Sequence, residues 1–142
     1  MPRPSVHREE ARVFESIRPG LTGQSETVVS REQTARHLGS GGVEVLATPE
    51  LVHLMERAAV AAVDHLLPEG WRTVGARVDV EHLAPTPVGM RVVARAELIA
   101  VDGRRLTFRV EACDEREVVG RGSHERVIVD LSRFSQRVEA KR

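Results

Sequence analysis

The sequence predicts an α+β fold in which an antiparallel sheet curls around one long helix. Residues 49–67 carry apolar side chains at the 3.6-residue period of an amphipathic helix. After Trp71 the period changes to two, which is typical of strands, and the strands that follow are joined by short connections. One strand, one helix and a run of strands in 142 residues therefore predict a single domain of this class.

A glycine-rich segment separates the first predicted strand from the helix. The strand is predicted from Gly23 to Ser30, and the glycine-rich segment spans residues 39–42. Thr48 followed by Pro49 predicts the helix start, because a threonine hydroxyl can cap the first free N–H groups and proline suits the first helical turn. The helix is predicted to end near Leu67, where the turn sequence PEG follows.

Four strands are predicted after the helix. Period-two alternation places His82 on the inner face of the first of them. Asp102 and Gly103 predict a hairpin turn between the second and the third, and Gly120 and Gly122 indicate a bulge or a close backbone approach in the last. The strands are expected near residues 74–82, 90–100, 106–112 and 118–131, and the inner face of the first is predicted to hold Val74, Ala76, Val78, Val80 and His82.

The charge balance and the single cysteine exclude several function classes. Lys+Arg and Asp+Glu both number 21 and are interspersed, which favours neither nucleic acid nor an anionic membrane as a partner. Cys113 alone cannot form an internal disulfide or a cysteine-based metal cluster, and no histidine pair has the spacing of a zinc site. We therefore predict no metal and no cofactor. The absence of an apolar leader or a membrane-spanning stretch, together with this cysteine usage, predicts a cytoplasmic protein.

The chain is predicted to consist of three parts. Residues 1–20 form a charged N-terminal arm or a short helix from Glu9 to Ile17, residues 21–138 form the domain, and residues 139–142 are a polar tail. A single sheet with one helix leaves exposed strand edges, which a second copy commonly covers. We therefore expect a homodimer or a higher homo-oligomer.

Glu56 is the only acidic side chain within the apolar face of the helix. One interpretation is an ion pair with one of the many arginines. The other is a catalytic base, acid or nucleophile, because a buried carboxylate without a partner would be costly. The catalytic interpretation requires Glu56 and the inward-facing His82 to meet in one interior, where a carboxylate and an imidazole can perform acid/base chemistry.

His82 and Thr48 also have structural alternatives. An inward histidine can be a core residue with satisfied hydrogen bonds, and Thr48 can be the helix N-cap alone. However, a helix N-terminus also gathers free N–H groups that suit a thioester oxygen, a phosphate or an oxyanion. For His124 and Arg126, a cross-strand salt bridge is the simplest interpretation.

Four segments resemble the hotdog-fold thioesterases, and most closely their fluoroacetyl-CoA thioesterase branch. The resemblance covers about residues 20–138, and it is carried by LATPELVHLMERAAV, VGARVDVEHLAPTPVG, VDGRRLTFRVEA and GRGSHERVIVDLSRF. It implies a hotdog fold, with the antiparallel sheet wrapped around one long central helix. It also implies that Thr48, Glu56 and His82 are catalytic and that Gly75 and Arg126 contact the substrate.

The resemblance implies hydrolysis of a short- or medium-chain acyl-CoA to the free acid and CoA, with no cofactor. The fluoroacetyl enzymes resemble a box closed by phenylalanines in the segment before the helix, whereas TARHLGSGGVEVLA contains no aromatic residue. This difference predicts a more open access route to the site. Two alternatives are an enoyl-CoA hydratase of the same fold and an acyl-CoA-binding module without catalysis.

Overall fold

The computed structural model describes residues 14–39 and 41–142, and it has the predicted α+β architecture. The elements are β1 (Thr22–Val28), α1 (Ala35–Leu38), α2 (Thr48–Val63), β2 (Trp71–His82), β3 (Arg91–Asp102), β4 (Arg105–Cys113), β5 (Val118–Asp130) and α3 (Leu131–Glu139). Five strands form one antiparallel sheet in the order β1-β3-β4-β5-β2, and the long helix α2 packs chiefly against β1 and β3. Two short 3₁₀ turns, Arg31–Gln33 and Asp64–Leu66, flank the first two helices.

The apolar arc of α2 fills the space inside the curled sheet. Its amphipathic pattern therefore predicted both the helix and the face that packs against the strands. The helix ends at Val63, four residues earlier than predicted, because Asp64 begins a 3₁₀ turn. The carboxylate of Asp64 accepts hydrogen bonds from the backbone N–H and the hydroxyl of Thr73 on β2. The buried residues of α2 are Leu51, Leu54, Met55, Ala58, Ala59, Ala62 and Val63.

A β-bulge in β2 changes which residues face the helix. Gly75 pairs with Arg126 and Arg77 pairs with Glu125, so Ala76 is the extra residue. The prediction that Val74 and Ala76 share the inner face with His82 is therefore wrong, because a bulge interrupts the period-two alternation. Thr73 and Gly75 occupy that face instead: Thr73 is buried, and a Cβ at Gly75 would contact Glu56 of the helix.

The glycines of β5 confirm the predicted close approach. A Cβ at Gly120 would lie 2.7 Å from Cδ2 of Leu51 and 3.1 Å from Cε of Met55. A side chain at this position would therefore require the Leu51 and Met55 side chains to move. The irregularity in the β4–β5 pairing lies between Ala112 and Cys113, opposite Gly120 and Val118.

Both termini of the described part of the chain carry further structure. Helix α3 is capped at its first turn by the Asp130 carboxylate and ends at Glu139, so only the first residue of the predicted polar tail is helical. Within the predicted N-terminal arm, Phe14 and Ile17 are buried in the core, and the ring of Phe14 packs edge-on against Trp71 with centroids 5.2 Å apart. Residues 1–13 of the arm, with most of the predicted short helix Glu9–Ile17, lie outside the described residues.

Candidate active site

Thr48 and His82 meet at the N-terminal end of α2. The hydroxyl Oγ1 of Thr48 lies 2.8 Å from Nδ1 of His82, at hydrogen-bond distance. The prediction that Thr48 caps the helix is wrong, since Ala47 is the N-cap residue and Thr48 already has helical geometry. The Thr48 side chain is therefore directed to the imidazole of β2.

The other nitrogen of the His82 ring has no hydrogen-bond partner. Among the described residues, Nε2 of His82 is the buried side-chain nitrogen or oxygen that lacks one. Burial lowers the pKa of His82, although the nearby backbone of Ala84 opposes the shift, so the neutral ring is favoured at pH 7. A buried unpartnered imidazole nitrogen can exchange a proton with a bound molecule.

An open cleft of about 310 Å³ adjoins this pair. Apart from Thr48 and His82, its walls are aliphatic or proline side chains, which suits an acyl chain. These residues are Ala35, Val45, Leu46, Leu83, Ala84 and Pro85.

Glu56, Gly75 and Arg126 form a second group around an ion pair. Nη1 of Arg126 donates to Oε2 of Glu56 at 3.3 Å. The side chain of Arg126 is 7% exposed, whereas that of Glu56 is 36% exposed. Gly75 lies opposite Arg126, and a Cβ there would be 2.7 Å from Oε2 of Glu56. Within one chain, the carboxylate is therefore paired with an arginine, and the missing side chain of Gly75 leaves room for it.

The Arg126 guanidinium is fixed by three further hydrogen bonds. Nε donates to Oγ1 of Thr73 at 2.8 Å, Nη2 donates to the carbonyl oxygen of Thr73 at 3.0 Å, and Nη1 also donates to Nε2 of His124 at 3.1 Å. The Thr73 hydroxyl donates in turn to Oδ1 of Asp64 at 2.5 Å. The cross-strand salt bridge predicted for His124 and Arg126 is wrong, because Arg126 pairs with a helical carboxylate.

One chain does not bring the two groups together. Glu56 follows Thr48 by eight residues, or about 12 Å along a helix. His82 follows Gly75 by seven residues, or roughly 20 Å along a strand. The five predicted site residues thus form two separate groups along β2. Thr48 and His82 lie at its C-terminal end, and Glu56 and Arg126 lie beside Gly75, nearer its N-terminal end.

Sequence reasoning missed the residues that hold Arg126. Thr73 and His124 are buried polar side chains on the face of the sheet toward the helix. His124 lies two residues before Arg126 on the same strand, and this spacing places both on one face. That parity was a usable signal, whereas the contact between Asp64 and Thr73 depends on the early end of α2.

Comparison with known proteins places the chain in a family. The model of the family described as fluoroacetyl-CoA-specific thioesterase matches residues 29–132. The chain belongs to this family. A fluoroacetyl-CoA thioesterase from Streptantibioticus cattleyicolor is 38% identical over 133 residues, which cover 89% of this chain and 96% of that relative.

Solved structures agree with this family membership. A variant of the fluoroacetyl-CoA thioesterase in complex with acetyl-CoA is 37% identical, with a TM-score of 0.82 and coverage of 88% of this chain and 98% of the other. A hot-dog-like protein from Thermanaerovibrio acidaminovorans is 30% identical, with a TM-score of 0.83 and coverage of 90% and 95%. The predicted hotdog fold is therefore confirmed.

Two further observations concern metals and membranes. The described residues include no group of three or more His, Cys, Asp or Glu side chains that could hold a metal ion. No helix in the described ranges is both long and apolar enough to cross a bilayer.

Proposed function

We propose that this protein is a thioesterase that hydrolyses a short- or medium-chain acyl-CoA to the free acid and CoA. The family and the relatives named above support thioester hydrolysis, and one of those relatives has been solved with acetyl-CoA. The observation that carries the proposal is the buried, unpartnered Nε2 of His82, which belongs to a residue lining the aliphatic cleft. The predicted cytoplasmic location stays a prediction.

The protein acts as a homodimer that pairs two copies of β2. This strand is an edge of the sheet, and eleven of its twelve residues pair on one side with β5. Exposed edges are commonly paired with a second copy. Val78, in the middle of β2, is 42% exposed although it pairs with the buried His124 of β5. Both features are expected of a surface that a second subunit covers.

Antiparallel pairing of β2 with its copy completes the site. In a two-fold arrangement centred on Asp79, with the bulge residue Ala76 left unpaired, Gly75 of one copy lies opposite His82 of the other. Thr48 and His82 of one subunit then face Glu56 and Arg126 of the partner subunit. Such a dimer has two identical sites, and each uses both chains. The 36% exposure of Glu56 in one chain is consistent with a carboxylate at this boundary.

The residues have distinct roles in this site. Glu56 either attacks the thioester carbonyl carbon or orients a water molecule for attack, and either route breaks the carbon–sulfur bond through a tetrahedral intermediate. His82 transfers a proton through Nε2 and protonates the departing thiolate, an effect typically worth about 10²–10⁴ in rate. Thr48 orients the imidazole through Nδ1, and the positive end of the α2 dipole stabilises developing negative charge on the thioester oxygen.

Arg126 and Gly75 shape the other side of the site. Arg126 orients the Glu56 carboxylate, and Gly75 permits the close approach of that carboxylate to the strand. The acyl group occupies the aliphatic cleft, and CoA lies along the subunit boundary. Because the described part of the segment before α2 presents no aromatic side chain, the cleft accepts acyl groups larger than fluoroacetyl.

One observation favours a second candidate, an acyl-CoA-binding module without catalysis. The Glu56–Arg126 ion pair neutralises the carboxylate that hydrolysis requires. A panel of acyl-CoA thioesters, with release of free thiol as the readout, separates the candidates. Hydrolysis yields CoA thiol, a hydratase yields none but changes enoyl absorbance, and a binding module does neither.

The decisive comparison uses wild type, Glu56→Gln and His82→Ala on the best substrate of that panel. We expect both variants to lose at least about a hundredfold in kcat. Wild-type rates in both variants would show that neither side chain takes part in the reaction.

A further inference from the structure

His124 is a buried titratable residue that the mechanism above leaves unused. It lies on β5 and is 1% exposed. Its Nδ1 is 2.8 Å from the carbonyl oxygen of Arg77, and its Nε2 is 3.1 Å from Nη1 of Arg126. Both ring nitrogens therefore have a partner on a different residue.

These two partners determine the protonation of the ring. The Arg77 carbonyl can only accept, so Nδ1 carries the proton and donates it. A guanidinium can only donate, so Nε2 has no proton and accepts from Arg126. The two contacts can coexist only in the neutral Nδ1–H tautomer. Burial, together with the positive charge of Arg126, lowers the pKa of His124 and favours this neutral form, while the bond to the Arg77 carbonyl and the charge of Glu56 oppose the shift.

Nη1 of Arg126 has two hydrogens, and both are used. One is donated to Nε2 of His124 and the other to Oε2 of Glu56. Thr73 holds the opposite side of the guanidinium through its hydroxyl and its carbonyl oxygen. The plane of the guanidinium is thus fixed from two sides, and Glu56 contacts the corner that His124 holds.

We propose that His124 is a positioning residue that holds the Arg126 guanidinium against Glu56 by accepting one of its N–H groups. It acts through Arg126 and does not contact the substrate. Without this acceptor, only Thr73 and Glu56 hold the guanidinium, which can then tilt out of the plane that aligns the Glu56 carboxylate. The inference rests on the proposed function, because it assigns His124 to the thioesterase site.

The surroundings of His124 define its response to pH. Glu56 faces it from α2, Arg126 lies beside it on β5, the carbonyl of Arg77 faces it from β2, and the ring of Phe108 lies over it from β4 with centroids 6.3 Å apart. A proton added to Nε2 would point at an arginine N–H and break that hydrogen bond. The Arg126–Glu56 geometry is therefore stable only while His124 is neutral.

Two substitutions at this position separate positioning from packing. His124→Leu removes the acceptor and keeps an apolar side chain of similar size, whereas His124→Gln keeps an oxygen that can accept from Arg126. We expect His124→Leu to lower kcat about tenfold to a hundredfold, with KM within about threefold, because a misplaced catalytic group affects the transition state more than substrate binding. We expect His124→Gln to retain kcat within about threefold of wild type. Equal losses in both variants, or a wild-type kcat in His124→Leu, would overturn the proposal.

A measurement on the wild-type protein tests the same geometry without turnover. Nitrogen-15 NMR should show the Nδ1–H tautomer of His124 and a slowly exchanging Nε–H of Arg126, assigned with Arg126→Lys. An Nε2–H tautomer, or a His124 that is protonated at pH 6.5, would overturn the proposal even if His124→Leu cannot be purified.

Thiol release and the His124 tautomer distinguish failure of the proposed function from failure of the proposed role of His124. If no acyl-CoA is hydrolysed but the tautomer and the Arg126 resonance are as expected, the proposed function fails and the positioning geometry holds. If hydrolysis is efficient but the tautomer is reversed, the inference about His124 fails and the proposed function holds.

Discussion

Mixing two inactive variants tests whether each site draws residues from both subunits. Glu56→Gln and His82→Ala substitute residues from the two separate groups of the site. Each homodimer of a single variant therefore has two defective sites. Random reassortment of the two variants gives half heterodimers. In each heterodimer, one site holds both substituted residues and the other holds the intact Glu56 of one chain and the intact His82 of the partner subunit. The mixture should therefore recover about a quarter of wild-type activity.

The assay follows thiol release after the two variants are unfolded together in urea and refolded. A control mixture pairs Glu56→Gln with Arg126→Lys, which substitute the two partners of one ion pair and therefore the same half of the site. No heterodimer in this control contains an intact site, so its activity should stay at the level of the separate variants. Absence of recovery in the first mixture, when two affinity tags show that heterodimers have formed, would refute the shared site and require each chain to bring Glu56 and His82 together by itself.

Four further predictions concern individual side chains. Gly75→Ala places a Cβ 2.7 Å from Oε2 of Glu56, so kcat should fall about tenfold to a hundredfold with little change in melting temperature; an unchanged kcat would show that the carboxylate need not occupy this position. Thr48→Val removes the hydroxyl from Nδ1 of His82 and should lower kcat about tenfold, whereas Thr48→Ser should keep it, as steady-state rates will show. Because the pKa of His82 is lowered by burial, the acid limb of kcat/KM should have its midpoint below pH 6.5, and a midpoint above 6.5 would contradict a buried neutral ring. The pKa of His124 is lowered in the same way, so the unfolded chain binds more protons than the folded chain below about pH 6.5. The contribution of these two histidines to the free energy of unfolding should therefore be complete above that pH. Urea titrations should show the free energy of unfolding falling as the pH decreases below it.

The sequence was sufficient for the class of the fold because its two periodicities are local and strong. The apolar arc of α2 predicted which helical residues are buried, and the Asp-Gly pair predicted the hairpin between β3 and β4. The bulge at Ala76 could not be predicted from alternation, because a single extra residue leaves no compositional signal. The error had a consequence for the site, since Gly75 and Thr73 were placed on the wrong face of the strand.

The position of the candidate site residues was harder to predict than their identity. Periodicity identified Glu56 as unusual, but it could not decide between an ion pair and a free carboxylate, because the pairing depends on where β5 places Arg126. The hydroxyl of Thr48 satisfied the usual pattern of an N-cap and nevertheless bonds to His82. Local sequence preference therefore predicted the wrong role for Thr48, because its side chain bonds to a residue of β2 that is distant in the sequence.

The location of the polar groups explains why one strand can serve two sites. Gly75 and His82 lie near opposite ends of β2, and antiparallel pairing about a two-fold axis exchanges the ends of a strand. A displacement of the pairing register by two residues would move Gly75 away from His82 of the partner subunit by about 7 Å, which is more than a hydrogen bond can span. In the dimer proposed above, the bulge at Ala76 increases the local twist of β2 and leaves Ala76 unpaired, so that Gly75 lies opposite His82 of the partner subunit. The proposed shared site therefore depends on this bulge.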